Sequence, residues 1–151
     1  MNPRKHASPA RSAARLAAVQ ALYQYQMEKT GLALLLDEFH QHRLGAEIED
    51  VTYNEADHTF FDDLVQGTIV RIEEIDGLIA GKLADGWSLT RLDRTMLQIL
   101  RVGAYELLAR ADVPKATAIS EYVDVAHAFF DAREAKFVNG LLDAIARQVR
   151  V

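Results

Sequence analysis

Between Phe129 and Phe137 the chain sets three rings, Phe129, Phe130 and Phe137, around two cations, Arg133 and Lys136. Rings offer faces on which unpaired bases stack, at roughly 1 to 3 kcal/mol per base, and the intervening cations suit phosphate. A second cationic group stands at the front, where Arg4, Lys5, Arg11 and Arg15 all precede the first acidic side chain, Glu28. Positive side chains in the first turns of a helix oppose its macrodipole, at a cost of a few tenths to about 1 kcal/mol. Free N–H groups beside arginines in that position form an anion site. Both groups therefore point to single-stranded nucleic acid. Phe130 and Val138 fall on core spacing, however, and a basic tail that only keeps the chain in solution reads the same as an anion-binding arm.

Other chemistries find little support. His6, His40, His42, His58 and His127 are scattered, and His40 and His42, two apart, point to nearly opposite sides of a helix, so no metal site is expected. There is no phosphate-binding loop, dinucleotide fingerprint, serine-hydrolase elbow or zinc-protease motif. Asp62, Asp63, Glu73 and Glu74 read as the solvated face of an acidic helix rather than an acid–base pair. No catalytic residue and no cofactor is expected. The chain has no cysteine, which excludes thiol chemistry and suits a reducing cytoplasm. No apolar run approaches the roughly 18 residues of a membrane span, and the front lacks the apolar core of a signal peptide.

Net charge is −5, which argues against nucleic acid until its distribution is considered. Residues 1–27 hold four of the 17 basic side chains and none of the 22 acidic ones, leaving −9 on the remainder. A basic patch on an acidic body localises polyanion binding and makes it salt-sensitive.

The elements that must position these residues read as helices throughout. With 151 residues and 50% apolar content, the chain can bury a core without staples, and no proline occurs between Pro9 and Pro114. Pro3 and Pro9 mark residues 1–9 as a flexible basic arm. A helix over about 10–27 follows, with Leu16, Val19, Tyr23 and Gln26 on one row and an αL cap at Thr30-Gly31. Further helices are predicted over 32–43, from an Asn54 cap to about Leu83 with a bend near Gly77, over about 92–109, from a first turn at Pro114 to near Phe129 and Phe130, and from Asp131 with an apolar stripe through Val149. Leu44–Tyr53 reads as an acidic loop. The helix over 92–109 exposes Arg94, Gln98, Arg101 and Tyr105, with Glu106 paired to Arg110. Asp131 and Glu134 form a capping box, and Gly140 suggests close backbone approach, for instance at Gly103. The prediction is one all-α domain of about seven helices in two packed bundles, an N-terminal half over about 10–83 and a C-terminal half over about 88–151.

The segments ARLAAVQALYQYQ (14–26), ILRVGAYELL (99–108), DVPKATAISEYVDVA (112–126) and AKFVNGLLD (135–143) resemble the NusB family of bacterial transcription antitermination factors, in the same order over nearly the whole chain. The resemblance implies two small helical bundles and a non-enzymatic role: pairing with NusE, a small-subunit ribosomal protein, to bind boxA RNA so that RNA polymerase resists termination, notably on ribosomal RNA operons. It carries the basic front helix over as Arg11 and Arg15, the aromatic of the AVQALY motif as Tyr23, and a second RNA-facing region as Phe129, Lys136 and Phe137. Lys82 takes a position where relatives offer an aromatic. Relatives have a denser arginine run where this chain has Ser12 and Ala13, and an Asp-Ser-like pair where it has Arg133-Glu134.

The resulting expectation is a two-part clamp. Arg4, Lys5, Arg11, Arg15, Lys82, Arg133 and Lys136 hold phosphates, while Tyr23, Phe129 and Phe137 frame bases. The acidic loop and third helix offer a face to a basic partner such as NusE. Two alternatives stand beside it. One is a helical adaptor that binds only protein. The other is the NusB-like front part of a ribosomal RNA methyltransferase, not expected because the chain reaches only Val151. Self-association of the free protein as a homodimer stays open.

Overall fold

The computed structural model describes residues 8–42, 44 and 55–151. Arg4, Lys5, the acidic loop beyond Leu44 and the Asn54 cap lie outside the described residues. Among those described, seven helices and a 3₁₀ turn account for the regular structure: α1 (Pro9–Glu28), α2 (Leu32–His42), α3 (Glu55–Val70), α4 (Ile72–Ala80), the turn Leu89–Arg91, α5 (Arg94–Ala109), α6 (Lys115–Phe129) and α7 (Ala132–Val149). The all-α class follows as predicted.

Helix α1 starts one residue earlier than expected. Pro9 opens the helix instead of excluding it, because its missing N–H is one that the first turn leaves unpaired anyway. Ser8 caps it, its side chain accepting from the Arg11 amide at 3.3 Å. The helix closes at Lys29, whose left-handed backbone (φ 56°, ψ 34°) takes the cap expected of Thr30-Gly31. Its buried face is mostly alanine, Ala10, Ala14, Ala17, Ala18 and Ala21 with Val19 and Leu22, which lets α1 lie close to α3 and α5. Of the predicted row only Val19 is buried; Leu16 is half-buried, and Tyr23 and Gln26 are exposed.

Helix α5 is the central element, flanked by α1, α3, α4, α6 and α7. Asp93 caps it by accepting from the amides of Thr95 (2.8 Å) and Met96 (3.1 Å). With neighbours on so many sides, its polar residues are drawn inward. Gln98 and Tyr105, predicted to be exposed, are buried, and Arg101 pairs with Asp76 at 2.8 Å. The predicted bend at Gly77 falls instead at Arg71, between α3 and α4. Gly77 faces open space, whereas Gly67 admits the Tyr105 ring: a Cβ there would lie 2.1 Å from Cζ. The expected Gly103–Gly140 approach is absent. A Cβ on Gly103 would meet Leu142 at 2.9 Å and Tyr122 at 3.3 Å, while one on Gly140 would meet nothing within 4 Å.

Glu134 accepts from the Asp131 amide at 3.2 Å and so starts α7 where predicted. At its far end the Arg150 guanidinium donates to the carbonyls of Leu107 (2.9 Å) and Arg110 (2.7 Å), neutralising the C-terminal end of α5. One apolar core joins residues of both predicted halves, from Ala14 and Phe60 to Leu142 and Ile145.

Two phenols in this core donate to carboxylates, Tyr105 to Asp63 at 2.6 Å and Tyr122 to Glu106 at 2.7 Å. Burial and then the Asp63 bond push Tyr105 up to about 12, and burial beside Glu106 raises Tyr122. Both groups keep their proton in the fold at pH values where the unfolded chain, with phenols near about 10, releases it. Their contribution is therefore complete below about pH 10 and is lost as pH rises toward the folded values. Denaturant midpoints are expected to fall between about pH 10 and 12. Tyr105→Phe should fall less over that window; an identical fall would remove the Tyr105 assignment.

Candidate nucleic-acid interface

The exposed rings gather at the N-terminal end of α5. Two open grooves meet there. The first, about 330 Å³, runs between the second half of α1 and the end of α6 and is lined by Tyr23, Met27, Thr95 and Phe129. The second, about 530 Å³, lies between the turn after α4 and the start of α7, and is lined by Trp87, Arg91, Phe130, Arg133 and Phe137. The end of α6 joins them. Phe130 leaves the helix in extended backbone (φ −139°, ψ 175°), and Phe129 and Phe130 contribute to different grooves with ring centroids 6.4 Å apart.

Tyr23 and Phe129 thus share one groove although α1 and α6 are remote in sequence, and both are open to solvent. Phe137, also exposed, stands with Arg133 in the neighbouring groove. Lys136 is exposed beside Phe137, and Lys82 is exposed next to Leu83 and Ala84, which line the same groove. Neither Arg133 nor Lys136 makes an ion pair among the described residues. Asp93 and Glu134 also line this groove, and each is committed to a helix cap.

Of the opening arginines, Arg11 and Arg15 do not join this surface. Arg15 is only 2% exposed, which corrects its expected role as a phosphate ligand. Its guanidinium holds Glu106 through Nε (2.9 Å) and Nη2 (2.8 Å), and Glu121 through Nη1 (2.8 Å). The Ser12 hydroxyl donates to the same Glu121 carboxylate. Burial alone would lower the Arg15 pKa, but the Glu106 hydrogen bond and charge outweigh it and raise the pKa, so the cation is permanent. Turning Arg15 outward would strand two buried carboxylates. Arg11 is half-buried, with its guanidinium 4.3 Å from the Phe60 ring centroid. At 1.5 Å per residue it lies roughly 18 Å along α1 from Tyr23. The expected convergence of opening arginines and late rings on one patch is therefore corrected for Arg11 and Arg15: the rings meet, and these two arginines lie elsewhere.

The carboxylates of α3 are not simply solvated either. Asp62 holds His40 at 2.6 Å, and Asp63 serves both Tyr105 and Arg110. Glu106, expected to pair with Arg110, pairs with Arg15, and Arg110 turns to Asp63 and Asp112. Sequence reasoning missed Trp87 and Arg91 as parts of a groove. The available signal was the single tryptophan of the chain placed four residues before an arginine. The partners of Arg15 had a signal too: Glu106 and Glu121 interrupt otherwise apolar faces.

Among the described residues no group of three His, Asp or Glu is arranged to hold a metal ion. No described helix is long and apolar enough to cross a membrane.

Comparison with known proteins agrees with this architecture. The NusB family model matches residues 12–147. A transcription antitermination protein NusB from Novosphingobium aromaticivorans is 73% identical over 93% of this chain and 95% of its own length. The protein of the same name from Sphingopyxis alaskensis is 64% identical, covering 93% of this chain and 94% of its own. Among solved structures, T. maritima NusB superposes with a TM-score of 0.77 at 31% identity, covering 91% of both chains. A chain from a crystal structure of antitermination factors NusB and NusE in complex with dsRNA gives 0.77 at 27% identity, covering 92% of this chain and 97% of that one.

Proposed function

This chain belongs to the NusB family of transcription antitermination proteins, and on that premise we propose that it binds boxA-type single-stranded RNA together with NusE. In this reading the pair acts on RNA polymerase during transcription, notably of ribosomal RNA operons, by holding nascent RNA without a covalent step. The observation that carries it is the meeting of Tyr23 and Phe129 in one groove beside Phe137 and Arg133 in the next. Exposed rings at such a junction suit stacking of unpaired bases, and cations along the rim suit the phosphates between them.

The roles follow from exposure. Tyr23, Phe129 and Phe137 frame bases, while Lys82, Arg133 and Lys136 take phosphates. Arg11, over Phe60, takes a phosphate several nucleotides away along α1, and Arg4 and Lys5, outside the described residues, keep the phosphate role the sequence suggests. Arg15 holds α1 to α5 and α6 and touches no RNA. Pairing with NusE is supported by the likeness to the NusB–NusE complex rather than by the acidic face of α3, whose Asp62 and Asp63 are already engaged.

The test is a titration of labelled boxA RNA with the protein alone and with NusE. Saturable binding, tightened by NusE, is expected. Absence of RNA binding in both arms would leave a helical adaptor that binds only protein.

A further inference from the structure

The second groove contains a ring and a cation to which neither the sequence reading nor the family resemblance gives a role. Trp87 is 56% exposed, an unusual state for the largest apolar side chain, and it stands on the turn created by Gly86 (φ 86°). Arg91 lies over it, with the guanidinium carbon 5.6 Å from the ring centroid, and is tied back by donating to the Gly86 carbonyl. Turn and 3₁₀ segment thus hold the pair in place on the wall opposite α7. Phe137 and Arg133 stand on the α7 side. A ring with an adjacent guanidinium therefore occurs on both walls of a single cleft of about 530 Å³.

We propose that this cleft receives one unpaired base of the bound RNA, with Trp87 and Phe137 supplying the stacking faces and Arg91 and Arg133 the phosphate contacts on either side. The inference rests on the RNA reading above and deepens it by adding Trp87 and Arg91 to the site. Charge favours this occupant. Arg91 and Arg133 balance Asp93 and Glu134, whose carboxylates serve caps, and among the exposed charges flanking the lining residues Lys82, Arg94 and Lys136 outnumber Asp85 and Asp131, which leaves the rim net positive. An apolar floor with a cationic rim matches a base and its phosphates. It also explains why a tryptophan is left uncovered: indole and base bury each other only when RNA is present.

Trp87 is the sole tryptophan, so its fluorescence reports on this cleft alone. The experiment follows two signals in one titration of end-labelled boxA RNA, with NusE present: anisotropy of the label, and indole emission of this protein corrected for that of NusE alone. The expected result is quenching of Trp87 that saturates together with the anisotropy. Trp87→Ala should weaken binding about tenfold, Trp87→Phe should stay within about threefold of wild type, and Arg91→Gln should flatten the salt dependence by about 0.7 in slope. Circular dichroism of each variant checks that the helices are retained, as the exposure of Trp87 predicts. Normal anisotropy with unchanged indole emission, or wild-type affinity in Trp87→Ala, would overturn this inference and leave the RNA reading standing. A flat anisotropy titration would remove both.

Discussion

Replacing Arg15 by alanine is expected to lower the stability of the fold by about 3 to 5 kcal/mol, because it leaves the carboxylates of Glu106 and Glu121 buried without their cation. Against a typical domain stability of about 5 to 15 kcal/mol this is a large share. Three elements depend on the guanidinium at once: α1 through Arg15 and Ser12, α5 through Glu106 and α6 through Glu121. Lysine should rescue little, since a single ammonium cannot reproduce the fork across two carboxylates. Adding Glu106→Gln to Arg15→Ala should recover part of the loss by removing one stranded charge. Chemical denaturation of the three variants checks this. Full stability in Arg15→Ala, accompanied by weaker RNA binding, would return Arg15 to the RNA surface.

The second large effect concerns binding. Phe129 and Phe137 are 44% and 39% exposed, so the alanine pair should leave the fold close to wild-type stability. If each ring stacks a base, their joint loss is about 2 to 6 kcal/mol of binding free energy, a weakening of roughly thirtyfold or more. Phe130→Ala makes the contrast. That ring is half-buried against the core, so its removal should cost stability first and affinity second. Anisotropy titrations with parallel denaturation curves separate the two outcomes. Affinity within about twofold of wild type for the Phe129→Ala/Phe137→Ala variant would exclude base stacking at these rings.

Helix positions were legible where local chemistry sets them. Pro114 and the Asp131–Glu134 pair each act within a few residues, and α6 and α7 begin beside them, whereas the Asp93 cap went unread and α5 begins at Arg94 rather than at Leu92. The faces of α5 were not legible, because a periodicity argument assumes one solvated side and this helix is packed on several. Arg15 failed for a related reason. On α1 alone it is one more cation in a basic run, and only the tertiary approach of Glu106 and Glu121 makes it a buried hub. The ring-and-cation spacing at the end of α6 was readable as binding chemistry, and family likeness added Tyr23. What placed Tyr23 against Phe129 is the packing of α1 on α5 and α6, which no spacing encodes. Trp87 escaped notice because a turn-flanking aromatic carries no period.

The central claim is that cations around the two grooves hold the phosphates of a single strand, and the salt dependence of RNA binding tests it most directly. With Arg4, Lys5, Arg11, Lys82, Arg133 and Lys136 each neutralising one phosphate, log affinity should fall with log salt at a slope of about −4, at about −0.7 per contact, and at about −5 when Arg91 also engages. Arg133→Ala with Lys136→Ala should flatten the slope by about 1.4 while the helices stay folded. A slope unchanged by that pair would place the RNA on another face of the molecule.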